Sequence, residues 1–153
     1  ANLAVIVSTV LQDHNLAAIN KGLRIDFACP ELTLDCDELK IRTIVDNLLS
    51  NAVKFSPPDS CIKIRASKVD ESIQLDVTDA GAGVDKTDGD KIFEPFYQGR
   101  RAAGSPIRGT GLGLAIAREY ALAHGGNIEL VQQTAAGTHF RLTLPIRDPE
   151  NIS

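Results

Sequence analysis

The sequence has no tryptophan and no methionine, and only 5% of it is aromatic. Its core must therefore be built from leucine, isoleucine, valine and alanine. It also lacks a basic surplus. The net charge of −4 argues against a chain that coats nucleic acid, though not against a local cationic pocket for a phosphorylated small molecule. Cysteine is scarce. Cys29, Cys36 and Cys61 are odd in number and form no Cys-x-x-Cys pair, which speaks against a zinc site or a disulfide framework. They are expected to be free, buried thiols of a reducing compartment. No apolar run approaches the roughly 20 residues of a membrane span, and no signal peptide is visible.

What is present describes an ordinary globular chain. At 43% hydrophobic and 24% charged it can bury a real core. Its 153 residues suit a single domain, 1–153. The chain opens directly in a helical pattern with Leu3, Ile6, Val7, Val10 and Leu11. That opening predicts a piece of a longer protein.

Helical period covers residues 2–20 and stops at Gly22. The run "LRIDFA" (23–28) alternates as a strand does. Asp35 followed by Glu38 has the spacing of a capping box and predicts a helix start. In that helix Ile41, Ile44, Val45, Leu48, Leu49 and Ala52 share one face, and "PPD" (57–59) ends it. "CIKIRASKV" (61–69) and "SIQLDVTD" (72–79) then form a hairpin pattern. From Ala80 to Thr110 the periodicity fails in a glycine-rich stretch, of the kind that is functional or disordered in a compact domain. Helical period returns over 112–125, and strands over 127–133 and 138–146 close the chain. This order predicts an α/β two-layer sandwich, a mixed sheet of about five strands backed by about three helices.

Three sites carry chemistry. Asn47, Asn51 and Lys54 fall at i, i+4 and i+7, a polar stripe beside the apolar one. A carboxamide oxygen is a hard neutral ligand that suits Mg²⁺, and a lysine one turn on can reach the same phosphates. By itself this stripe is equally the wet side of an amphipathic helix. "DAGAG" (79–83) follows a strand directly. A carboxylate at Asp79 can accept a hydrogen bond from the exocyclic amine of adenine, where guanine presents a carbonyl. An ordinary Asp-Gly turn has the same letters. "GTGLGL" (109–114) opens a helix, where free backbone N–H groups bind anions. Leu114 breaks the G-x-G-x-x-G dinucleotide pattern, and Thr110 stands where a P-loop needs lysine. Arg100, Arg101 and Arg108 lie just before it, as in a lid over a triphosphate or in a solvated loop.

The joint order of these motifs resembles one family. Asn-x-x-x-Asn-Ala-x-Lys-Phe, Asp-x-Gly-x-Gly, Phe-Glu-Pro-Phe-Tyr, Gly-Thr-Gly-Leu-Gly-Leu and Gly-Thr-x-Phe occur in sequence over essentially the whole chain. They are similar to the five boxes of the catalytic, ATP-binding domain of bacterial sensor histidine kinases. Their wider superfamily (GHKL, with the Bergerat fold) includes DNA gyrase, MutL ATPases, Hsp90-type chaperones and anti-sigma-factor serine kinases. The resemblance implies ATP and Mg²⁺ as cofactors. It makes Asn51 the principal metal ligand, with Asn47 in support. It places Lys54 on phosphate, Phe55 near the nucleotide and Asp79 on the adenine amine, with Gly81 and Gly83 giving the base room. Thr138 would stand near the adenine floor. Arg108, with Gly109, Thr110 and the amides of Gly111, Leu112 and Gly113, would hold the phosphates. Phe93, Phe96 and Tyr97 would anchor the lid, which is expected over 98–110, and dock a partner helix; Tyr97 would also border the nucleotide.

In the hydrolytic members the first position of the helical stripe is a glutamate that activates water. Here it is Asn47, and an amide cannot take a proton near neutral pH. The resemblance therefore implies transfer to a histidine on a separate dimerisation domain, and from there to a response regulator. The phosphoacceptor is expected outside this chain. His14 lacks the acceptor box, and His124 and His139 are expected to be structural, His124 as a cation suited to a helix C-terminus. The chain would be a monomeric cytoplasmic fragment, with little activity alone, of a homodimeric kinase in the bacterial inner membrane. A stand-alone serine kinase or switch, or a binding module without transfer, is the alternative.

Overall fold

The computed structural model describes residues 1–80, 93, 113–134 and 137–146. Helix α1 runs Leu3–Asn20, strand β1 Arg24–Ala28, helix α2 Glu38–Phe55, strand β2 Cys61–Val69 and strand β3 Ser72–Asp79. Helix α3, Gly113–Ala123, is followed by strands β4, Asn127–Thr134, and β5, Gly137–Pro145. The five strands form one sheet in the order β1-β2-β3-β5-β4. β1 pairs with β2 in parallel and every other pair is antiparallel. The sheet is therefore mixed, as the alternation of helical and strand periods predicts.

Strand alternation builds the core. Ile62 and Ile64 of β2, Ile73, Leu75 and Val77 of β3, and Phe140, Leu142 and Leu144 of β5 are buried. The helices cover this one face, with α2 central between α1 and α3. Ile41, Ile44, Val45, Leu48, Leu49, Ala52 and Val53 of α2 are buried against it. The other face is polar. There Asp76 Oδ1 of β3 accepts from Arg141 Nε at 2.8 Å and meets His139 Nε2 at 2.8 Å. Fully burying a side chain of this size contributes about 1.5–3 kcal/mol, so the apolar face of α2 holds the helix in place. Its other side is left to carry polar groups.

The helix ends follow local rules, with one departure. At the end of α1, Gly22 takes φ 71°, its N–H donates to Ile19 O at 3.0 Å, and Leu23 N–H donates to Ala18 O at 2.9 Å, a Schellman cap. Ser56 is extended at the end of α2, the conformation that the following Pro57 imposes. The start of α2 differs from the sequence expectation. Its N-cap is Asp37, whose Oδ1 accepts from Lys40 N–H at 3.3 Å, not Asp35. The backbone N–H of Asp35 is instead tied to Ile146 O at 2.8 Å, which holds that residue at the end of β5. The three cysteines are free but only half-buried. Burial still pushes the thiols of Cys29 and Cys36 above the ordinary cysteine range.

Candidate functional site

α2 presents the polar stripe. Asn47 is half-buried, and its Nδ2 donates to Thr43 O at 3.0 Å. A carbonyl only accepts, so the nitrogen faces Thr43 and the oxygen faces outward. That oxygen lies against the first residue of α3. A β-carbon on Gly113 would sit 2.7 Å from Asn47 Oδ1. Asn51 stands one turn further along. Among the described residues its carboxamide makes no hydrogen bond, and the ammonium of Lys54 has no hydrogen bond or ion pair. The stripe thus offers one amide held by its own helix, one amide without a protein partner and one unengaged cation.

The second half of the site lies at the end of the sheet. Asp79 is the last residue of β3, and Thr138 is its register partner on β5. Both are buried, at 4% and 1% exposure, and Thr138 Oγ1 is enclosed without a hydrogen-bond partner among the described residues. An unsatisfied buried hydroxyl costs about 1–3 kcal/mol. It is the kind of group that a ligand or an ordered water completes. Gly137 sets the close approach here, since a β-carbon on it would run into the carbonyl oxygen of Asp79. Phe93 is buried on the same side. Its ring meets Phe140 edge to face at 6.1 Å between centroids, and the Arg118 guanidinium of α3 lies 4.8 Å from its centre. Phe93 therefore belongs to the core and is not itself exposed for a partner helix.

The structure thus brings Asn47 together with Gly113, and Asp79 with Thr138. It sets Asn51, Lys54 and the half-buried Phe55 along the C-terminal half of α2, which packs against β3. Gly81, Gly83, Phe96, Tyr97, Arg100, Arg101, Arg108, Gly109, Thr110, Gly111 and Leu112, and with them the expected lid, lie outside the described residues.

Lys21 and Gly137 gain roles that sequence reasoning did not find, and His124 takes the structural role expected of it in an unexpected form. Lys21 Nζ, from the end of α1, donates to Val53 O and Lys54 O, each at 2.9 Å. His124 is buried just past α3, and its Nε2 accepts the N–H of Asp37 at 3.0 Å. Nδ1 then carries the proton and donates to Tyr120 O at 2.9 Å. The ring is therefore neutral, contrary to the expectation of a cation at the helix end, because its free nitrogen is used as an acceptor. His14 is bound to Asp46 at 2.7 Å.

The fits with known proteins follow this geometry. A family model described as "Histidine kinase-, DNA gyrase B-, and HSP90-like ATPase" matches residues 36–148. "Sensor-like histidine kinase SenX3" of Mycolicibacterium smegmatis is 37% identical over 97% of this chain. The chain spans 39% of that relative's length. Among solved structures, the mycobacterial sensor histidine kinase MprB superposes with a TM-score of 0.85 at 24% identity, covering 97% of this chain and 98% of that one, a likeness of fold. Full-length ShkA in complex with AMPPNP matches with a TM-score of 0.82 at 30% identity, over 95% of this chain and 30% of its own. Family model, relatives and architecture agree, and the chain belongs to the histidine kinase-, DNA gyrase B- and HSP90-like ATPase family, with its relatives among the sensor histidine kinases.

Proposed function

We propose that this chain is the catalytic domain of a sensor histidine kinase. It binds Mg-ATP and passes the γ-phosphoryl group to a histidine on the kinase's separate dimerisation and phosphoacceptor domain, in a two-component signalling pathway. One observation carries the choice of transfer over hydrolysis. Asn47 Nδ2 donates to Thr43 O, a bond that a carboxylate cannot make. The helix is built around an amide at this position, and an amide offers water no base.

Mg-ATP, when bound, supplies the phosphoryl group together with the cation that neutralises its charge. The chain's own residues position it. The unengaged carboxamide of Asn51 would be the principal ligand of the cation, and Asn47, whose nitrogen is held by Thr43 O so that its oxygen is left to accept, would support it from one turn earlier. The cation's protein ligands would be these amides, with phosphate and water completing its shell. Lys54 is free to reach phosphate as a point charge. Asp79 would accept from the adenine amine, and the unpartnered hydroxyl of Thr138 would be satisfied on the same floor. Arg108, Gly109, Thr110, Gly111, Leu112 and Gly113 would close on the phosphates. The downstream partner is a response regulator. The parent is a homodimer in the bacterial inner membrane, with this domain in the cytoplasm. No described helix is itself long and apolar enough to cross a membrane.

The test is transfer in trans. The chain and labelled ATP are mixed with candidate phosphoacceptor domains, and the product is assayed for acid-labile phosphohistidine. Acid-stable phosphoserine would replace this reading with a stand-alone serine kinase. Nucleotide binding without transfer to any acceptor would leave a binding module.

A further inference from the structure

The last turn of any α-helix leaves carbonyls without intrahelical partners, and the partial negative charge there attracts cations. α2 ends with Lys54 in that turn. A lysine so placed is able to fold back onto its own helix end. The structure gives that place to another residue. Lys21 Nζ donates to both Val53 O and Lys54 O at 2.9 Å. The backbone of Lys21 is fixed as well. Its N–H donates to Ala17 O and Ala18 O, at 3.3 and 3.2 Å, and its carbonyl accepts from Asp59 N–H at 3.1 Å. It is the cap residue of α1, so one lysine ties the ends of α1 and α2 to the turn that follows α2. The Lys54 ammonium itself has no hydrogen bond or ion pair among the described residues.

We propose that Lys21 is a positioning residue of the nucleotide site: by occupying the carbonyls at the end of α2 it keeps the Lys54 ammonium off its own helix terminus and available to phosphate. The inference rests on the nucleotide reading above. Two ammonium groups cannot share one helix end without repulsion, and the one seated from outside makes two charge-assisted bonds there. Burial lowers the Lys21 pKa below the ordinary lysine value, as expected of an ammonium that has exchanged part of its water for carbonyl oxygens. The same bonds hold the backbone from which Asn51, Lys54 and Phe55 project.

The experiment compares Lys21→Met, which keeps the stem and removes the charge, with the parent chain. Mg-ATP affinity is read by calorimetry and adenosine affinity by a chemical-shift titration, because adenosine has no phosphate for Lys54 to meet. Mg-ATP affinity is expected to fall roughly tenfold, the weight of one charge-assisted hydrogen bond, with adenosine affinity unchanged. Lys21→Arg is expected to restore most of the loss. In a Lys54→Met background the Lys21 substitution is expected to add nothing. Equal loss for both ligands, no loss for Mg-ATP, or a full effect in the Lys54→Met background overturns the positioning role. A Lys21→Met chain without a cooperative thermal transition overturns it too, since Lys21 then serves the fold. A parent chain that binds neither ligand overturns the nucleotide reading, and the positioning role with it.

Discussion

Asn47 of α2 and Gly113 of α3 are in such close contact that a β-carbon on Gly113 would lie 2.7 Å from Asn47 Oδ1. The glycine that ends the run Gly109-Thr110-Gly111-Leu112-Gly113 therefore makes room for a side chain, besides the phosphate contact proposed for its amide. Gly113→Ala tests this. Alanine is the better helix former by up to about 1 kcal/mol, but Gly113 is only the first helical residue. Overpacking costs about 1–3 kcal/mol and should win. The variant is expected to unfold at lower urea concentration and to bind Mg-ATP more weakly, because Asn47 must rotate away from Thr43 or α3 must shift. A variant more stable than the parent would show that the contact is slack.

Asn51→Ala removes the carboxamide that has no hydrogen-bond partner among the described residues. No described contact holds it, so stability should change by less than about 1 kcal/mol. Mg-dependent ATP affinity should be abolished if Asn51 is the principal ligand. Calorimetry with and without Mg²⁺ separates the two effects. Unchanged affinity would remove the role.

Thr138 makes opposite predictions for the free chain and the complex, and its register partner Asp79 makes one for base choice. Thr138→Val replaces a buried hydroxyl that has no partner among the described residues, so the nucleotide-free protein should be as stable as the parent or slightly more so. ATP should bind more weakly, since the hydroxyl is expected to be used there. Asp79→Asn should weaken ATP and blunt the preference over GTP. Base selectivity that survives in competition binding would refute the adenine assignment.

Much of this arrangement is legible in the sequence because it is local. The apolar period of α2 fixes the face that carries Asn47, Asn51 and Lys54, and strand alternation places Asp79 at the end of β3. What the sequence hides is long-range. Asp35 and Asp37 are equally good caps by composition. The choice is made by Ile146, which takes the Asp35 N–H, and by His124, which takes the Asp37 N–H from 87 residues away. The pairing of Thr138 with Asp79 depends on a register that no turn signal sets, and nothing near Lys21 shows that its ammonium ends on α2. Its neighbour Gly22 signals only that α1 stops.

His124 carries a prediction of its own. Its neutral ring joins Tyr120 at the end of α3 to the first residue before α2, so it couples the two helices that meet at Asn47 and Gly113. His124→Phe keeps the ring volume and removes both bonds. It should cost about 1–2 kcal/mol in urea unfolding, the range for lost hydrogen bonds at a partly buried pair of backbone groups. No loss would mean that water replaces the imidazole at both ends.

The last prediction concerns acid. Asp26 of β1 is bonded to Arg65 of β2, with Nη2 2.7 Å from Oδ2. That hydrogen bond, and the guanidinium charge behind it, hold the carboxyl below its ordinary value of 3.8. A carboxylate whose folded pKa is depressed adds stability above its unfolded pKa, and that stability is lost as the pH falls through the folded value. The parent should therefore be slightly more stable than Asp26→Asn near neutral pH, and the two should converge as the pH drops below 3.8. The difference should be small, because the pair is exposed and because Arg65 Nη1 keeps its bonds to the backbone carbonyls of Asp26 and Ile64 in either chain. Urea unfolding of both chains across the carboxylate range reads it directly. A gap that persists unchanged in strong acid would mean that Asp26 acts on β1 through something other than its charge.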